Sequence, residues 1–440
     1  MDPAADRLRP VLAGLVTALV GFTSSFAVVL AGLRAVGASP EQAASGLLAL
    51  CVTQAVGILW LTTRHRTPIT LAWSTPGAAL LVSTGAVAGG WPAAVGAFCV
   101  VGGLVLLTAL WPRLGDLVSA IPPAVAQAML AGVLLTLCLA PVRSLVATPL
   151  LVAPVVLVWL VLLRVAPRWA APAALVVTLA LVGHEALSGG MLDWSDAVPR
   201  VDLTAPTLSW QALVGLAVPL YVVTMASQNV PGVAVMASLG YRVPWRETMT
   251  VTGLGTLAGA AAGGHTVNLA AISAALAAGP EADPDPRRRW VAAHTAGWAY
   301  LVIAVGSAGL AALVAAAPSG LVEAAAGLAL VGTLGAAVAA AVADPHGREA
   351  AVVTFLVAAS GVVVAGIAAA FWAILAGLAV HAVLAVRRRA PAPHDERRDA
   401  RAGADHPAGA DHPAGADHPA DDVPAPLEGP RTLDGPGTPG

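Results

Sequence analysis

From Val11 to Val386, apolar runs of membrane-spanning length follow one another in a chain of 440 residues that is 58% hydrophobic and 11% charged. A helix needs about 20 apolar residues to cross the hydrocarbon of a bilayer. Inside that hydrocarbon every backbone N–H and C=O must find a partner within the protein. The expected fold class is therefore an all-α polytopic membrane protein, multi-pass in the lipid bilayer of a cell (inner or plasma) membrane. The N-terminal MDPAADRLRP is short, and the apolar segment behind it is longer than a signal-peptide core, so it reads as an uncleaved first span.

Fourteen transmembrane segments are expected, at 11–33, 42–62, 68–88, 93–111, 122–141, 147–165, 170–186, 209–236, 246–262, 265–280, 289–316, 320–341, 349–366 and 368–386. Arginine placement tests that count, because cytoplasmic flanks retain positive charge. All 23 basic residues are Arg, and with the N-terminus inside, sixteen flank the spans on the cytoplasmic side. Only Arg34, Arg143 and Arg200 fall outside, and Arg397, Arg398, Arg401 and Arg431 belong to the tail. Both termini are thus expected in the cytoplasm. The external loop Ser188–Ser209, with Asp193, Asp196 and Asp202, divides the chain into two sets of seven, and an odd number makes the second set an inverted repeat of the first. Residues 21–37 align with 224–240, 70–85 with 264–279, and 121–132 with 317–328. Such 7+7 repeats place a substrate near the midplane, where discontinuous helices meet.

Two segments have that discontinuous character, half strand and half helix. In span 3, Pro68 to Ala72 favours extended backbone, and Ser74-Thr75-Pro76-Gly77 reads as a helix start with a hydroxyl cap and proline in the first turn. In span 10, Gly263-Gly264-His265-Thr266-Val267 precedes Asn268, a second capping residue, and an Ala-rich helix. Two helix starts meeting at mid-membrane would direct free N–H groups and positive dipole ends at one anion, a carboxylate above all. Span 8 adds Gln228-Asn229-Val230-Pro231-Gly232, adjacent carboxamides at membrane depth beside a proline that frees a backbone carbonyl. Ser24 and Ser25 of span 1 fall at or beside Gln228 and Asn229 in the alignment of 21–37 with 224–240 and face the same expected cavity. The candidate substrate-binding residues are Ser24, Ser25, Ser74, Thr75, Gly77, Gln228, Asn229, His265 and Asn268. Replacing Gln228, Asn229 or Asn268 by Ala is expected to weaken binding in a folded protein.

Intramembrane ionisable groups are few: His265 at the opening of the tenth helix, Glu323 about a turn and a half into span 12, His294 and His381. His265 and Glu323 are the candidates for carrying a proton. Cys51, Cys99 and Cys138 have no CxxC or Cys/His spacing, so neither a disulfide framework nor a zinc site is expected. A net charge of −2 without a basic face argues against nucleic acid as a partner. No nucleophile triad, phosphate loop or metal cluster is present, so neither an enzyme nor a cofactor is expected. After Arg389 the AGADHP repeats, with His406, His412 and His418, read as a disordered cytoplasmic tail over 390–440 rather than a metal site.

The strings AWSTPGAAL (72–80), VVTMASQNVPGVAVM (222–236) and NLAAISAALAAGPEADPDPRRR (268–289) resemble the benzoate/proton symporters called the BenE family, over about Arg9 to Val386. The resemblance implies uptake of a small aromatic carboxylate such as benzoate, driven by protons. That family is similar to the nucleobase and sulfate-type transporters, whose fold implies a core of spans 1–4 and 8–11 and a gate of spans 5–7 and 12–14. The corresponding divisions are 1–141 for spans 1–5, 142–208 for gate spans 6–7 and the external loop, 209–317 for core spans 8–11, and 318–389 for gate spans 12–14. Nucleobase relatives use acidic side chains in spans 8 and 10, where this chain has Gln228, Asn229, His265 and Asn268. That leaves the proton with His265, Glu323 or the substrate's own carboxylate. A nucleobase or inorganic-anion carrier on the same fold is the alternative, with an anion channel behind it. The expected partners are a small aromatic carboxylate and a proton, with a homodimer as the candidate assembly.

Overall fold

A computed structural model describes residues 3–188 and 198–389. The first half runs α1 (Pro3–Thr23), α2 (Phe26–Ala35), α3 (Pro40–His65), β1 (Leu71–Trp73), α4 (Thr75–Thr84), α5 (Gly90–Leu110), the short α6 (Pro112–Ser119), α7 (Pro123–Cys138), α8 (Ala140–Ala147), α9 (Pro149–Val165) and α10 (Pro167–Ser188). The second half starts with α11 (Trp210–Ala212), α12 (Val218–Thr224) and α13 (Val230–Ser238), joined into one helix by π-helical turns at Leu213–Ala217 and Met225–Asn229. It continues with α14 (Trp245–Ala260), β2 (Val267–Leu269), α15 (Ile272–Ala278), α16 (Trp290–Ala315), α17 (Leu321–Ala341), α18 (Arg348–Ala359) and α19 (Ala369–Arg389). Helix occupies part of every stretch expected to span, and among the described residues seven helical stretches are long and apolar enough to cross a membrane. Asp193, Asp196 and the tail with His406, His412 and His418 lie outside the described residues.

Two departures from expectation, and the course of span 8 between them, have local causes. The first span is two helices, because Thr23, Ser24 and Ser25 turn their hydroxyls back on carbonyls of the preceding turn, Thr23 Oγ1 to Leu19 O at 2.6 Å and both serines to Gly21 O at 3.2 and 3.4 Å. Hydroxyls that compete in this way weaken the helical ladder. Pro231 does not break its helix. Pro219 and Pro231 each stand second in the α-helical segment that follows a π turn. Widening the turn before a proline accommodates a ring with no N–H to donate. Finally α18 stops at Ala359, short of the expected 366, where Gly361 takes φ 64 and a Val364–Ile367 bridge begins.

Packing groups the helices into two sets. In one, α16 lies on α3 and α1, α14 on α5 and α3, and α2 on α4. In the other, α7 carries α17 and α18, and α10 packs on α9. Gly32 sets the distance of α2 from α4, since a Cβ there would stand 2.5 Å from Ala78 O. The sets meet where α17 touches α2, α4 touches α7, and α10 touches α1 and α16.

Candidate functional site

The site is organised by the only sheet among the described residues. β1 and β2 pair antiparallel, Leu71 with Leu269, Ala72 with Asn268, and Trp73 with Val267. Pairing continues past the strand ends, Ser74 N–H donating to Thr266 O at 3.2 Å and Ala270 N–H to Thr70 O at 3.0 Å. Each strand satisfies the other's backbone at a depth where water cannot. Ser74 then caps α4: its Oγ accepts Gly77 N–H at 3.0 Å and a hydrogen bond from Thr224 Oγ1 at 3.2 Å. Gly77 is required at this start, since a Cβ would lie 2.8 Å from Ser74 Oγ and 2.6 Å from Leu220 Cδ1.

The second segment does not mirror the first. Asn268 was expected to cap the helix after it, but it lies inside β2, opposite Ala72, and α15 opens only at Ile272 with Ala271 in the capping position. Relative to the 70–85 on 264–279 alignment the strand ends two residues later and the helix opens three later, because pairing with β1 satisfies more backbone than one side-chain cap would. Asn268 Nδ2 donates to Leu269 O at 2.9 Å, and its Oδ1 has no partner among the described residues. A helix start of usable length thus comes from α4 alone, since α15 has seven residues.

Span 8 separates its two carboxamides. Asn229 is fully buried; its Oδ1 accepts Leu269 N–H at 2.8 Å and its Nδ2 donates to Met225 Sδ at 3.2 Å. It clamps β2 rather than facing open space. Gln228, one residue earlier in the π turn, points the other way and lines a cavity of about 500 Å³. Ser24, Ser25 and Thr75 line the same cavity, whereas Ser74, Gly77, Asn229, His265 and Asn268 support it from behind. Ser25 is occupied, accepting Trp73 Nε1–H at 2.9 Å, and Ser24 bonds back to its own helix. Thr75, Gln228 and Ser273 form no hydrogen bond with their side chains among the described residues, and all three line the cavity.

The rest of the lining was not singled out by sequence reading. Trp73 and Tyr300 stand at 6.4 Å edge to face, and Trp73 continues to Phe22 at 5.6 Å and Phe22 to Phe26 at 5.0 Å. This aromatic wall comes from the first helix set. Ala171, Pro172, Leu330 and Thr333 close the opposite side from α10 and α17 of the second. Arg168, the one charged lining residue among those described, donates to Glu281 Oε2 at 3.2 Å in an exposed pair. The tyrosine had a signal, being one of three in the chain; Ser273 and Arg168 had none.

The two ionisable candidates sit elsewhere. His265 does not open a helix but lies on the extended approach to β2, fully buried, with Nε2 3.2 Å from Ser74 O. A carbonyl only accepts, so Nε2 carries the proton and Nδ1, which has no partner, is the free base. Glu323 is not a turn and a half into its helix but third in α17, where its Oε2 accepts Gly320 N–H at 2.9 Å in a capping box. It is exposed, because a capping carboxylate must stand at the helix end. Among the described residues no three His, Cys, Asp or Glu side chains could hold a metal ion.

Against known proteins, a family model described as benzoate membrane transport protein, BenE, matches residues 5–383. The inner membrane protein YdcO of Escherichia coli is 38% identical over 376 residues, 85% of this chain and 95% of that protein. A benzoate membrane transport protein of Acinetobacter baylyi is 30% identical over 386 residues, 86% of this chain and 95% of that one. Among solved structures, SLC26A9 matches with a TM-score of 0.59 at 12% identity over 88% of this chain, which spans 66% of that chain. The transmembrane domain of the cyanobacterial bicarbonate transporter BicA matches with a TM-score of 0.51 at 17% identity, covering 86% of this chain and 98% of that one. These two likenesses are of fold.

Proposed function

This chain belongs to the benzoate membrane transport family, and from that premise we propose that it imports an aromatic carboxylate, benzoate or a close relative, by proton symport. Membership makes it a multi-pass membrane transporter and not an enzyme. We read the set of α1–α5 and α11–α16 as a core and that of α7–α10 and α17–α19 as a gate, in a 7+7 inverted arrangement of fourteen spans. The partition of arginines supports both termini being cytoplasmic.

One observation carries the substrate: four polar side chains without a partner among the described residues, Thr75, Gln228, Ser273 and Thr333, line a mainly apolar cavity between the two helix sets. Its volume of about 500 Å³ lies within the roughly 300–1,000 Å³ of small-molecule sites. The carboxylate takes the start of α4, where Thr75 presents backbone N–H and hydroxyl at the positive end of the helix. Gln228 Nε2 and the Ser273 hydroxyl add donors, and the ring lies against Trp73, Pro76 and Leu330. His265 carries the proton. A buried imidazolium behind the α4 start is costly when the site is empty, and a bound carboxylate compensates it. The loaded site is then neutral and moves across, while a half-loaded site does not.

Radiolabelled benzoate should bind saturably to the purified protein and be displaced by ring-substituted benzoates but not by uracil or sulfate. Binding of uracil or sulfate with no affinity for benzoate would move the chain to a nucleobase or inorganic-anion carrier.

A further inference from the structure

Helices α4, α16 and α17, which line the central cavity, continue past it and with α2 and α7 enclose a second one. It has a volume of about 420 Å³ and is lined by Arg34 of α2, Val82 of α4, Leu137 of α7, Val314 of α16, and Glu323 and Ala326 of α17, among others. At about 1.5 Å per residue, Arg34 lies some 12 Å along α2 from its start at Phe26, and Val314 some 21 Å along α16 from Tyr300. The barrier between the cavities is thin. Ser24 lines one and Ala27 the other, and Leu330 lines one and Ala326 the other. The Ser24–Ala27 link between α1 and α2 on one side and one turn of α17 on the other, with Phe26 and Leu330 buried in them, separate two halves of one seam.

Among the described residues Arg34 is exposed and forms no hydrogen bond or ion pair. Glu323 shares its cavity without a salt bridge to it, its carboxylate being held on Gly320 N–H. A guanidinium is a planar fork that matches a carboxylate in two parallel hydrogen bonds. Apart from Ser319 beside Glu323, the surrounding wall, with Ala27, Ala31, Val82, Leu137 and Val314, offers such an anion apolar side chains. The chemistry this combination accepts is amphipathic, a carboxylate on an apolar ring, and a small inorganic anion leaves the wall unused.

We propose that this cavity is a loading vestibule, a second and weaker binding site for an aromatic carboxylate, with Arg34 as its anchor and the link and turn containing Phe26 and Leu330 as the barrier before the central site. Glu323 sets its strength by repulsion, so the ligand is captured but not retained. The proposal rests on the aromatic-carboxylate reading of the central cavity.

Equilibrium binding of radiolabelled benzoate to the full-length purified protein tests it. The wild type should show two classes of site. Arg34→Gln should weaken the lower-affinity class about tenfold, the loss of a charge-assisted contact, and leave the higher-affinity class unchanged. Glu323→Gln, which keeps a capping carboxamide, should strengthen the lower-affinity class, and Gln228→Ala should weaken only the higher-affinity one. A single class in the wild type, or two classes indifferent to Arg34→Gln, overturns the vestibule while leaving the central site standing. A wild type that binds no benzoate overturns the central reading and the vestibule with it.

Discussion

Gln228→Ala is expected to weaken benzoate binding by about ten- to a hundredfold, with folding and membrane insertion intact. The side chain is half-buried on the cavity wall without a hydrogen-bond partner among the described residues, so its removal strands no protein group. What is lost is a hydrogen bond to a charged ligand, on the order of 1.5–3 kcal/mol. Asn229→Ala, one residue along, has a different consequence. It leaves the buried Leu269 N–H without its acceptor and loosens β2, costing about 1–3 kcal/mol of stability. Radioligand binding and thermal unfolding in detergent separate the two: affinity falls with stability unchanged in the first variant, and stability falls in the second. Full affinity in Gln228→Ala would remove the central cavity from substrate binding.

His265→Gln is expected to abolish proton-driven accumulation while sparing exchange of labelled for unlabelled benzoate. His265 Nε2–H is held on Ser74 O, and Ser74 caps α4, so the imidazole is joined through one residue to the helix start assigned to the carboxylate. Glutamine retains a donor for Ser74 O but cannot accept a proton at neutral pH, and the site loses the positive charge that balances the anion. Glu323→Gln should keep the coupling, since its carboxylate is engaged in capping α17. Loss of coupling in Glu323→Gln with His265→Gln intact would move the proton to the gate. Coupling retained in both would leave the substrate as its own proton carrier.

The start of α4 was readable in advance because its causes are local. Ser74, Pro76 and Gly77 carry capping, backbone and close-approach chemistry in four consecutive residues, and the structure uses Ser74 as the cap. Asn268 had comparable local credentials, yet pairing with Ala72 drew it into a strand, a long-range cause invisible in its neighbours. The same holds for Gln228 and Asn229, equivalent on paper until a π turn sends one to the cavity and the other to Leu269. Ser273, Trp73 and Tyr300 line the site through the way α15, β1 and α16 converge, which apolar periodicity does not encode. The break at Ser24 and Ser25 was legible in principle, since three successive hydroxyls in an apolar helix compete with its backbone.

The central claim is coupled import of an aromatic carboxylate, and benzoate uptake into proteoliposomes, with and without an imposed proton gradient, tests it most directly. Concentrative uptake that requires an acidic exterior and collapses with a protonophore is the result predicted. Benzoate flux that only equilibrates across the membrane and ignores the gradient, or no benzoate flux at all, would contradict it.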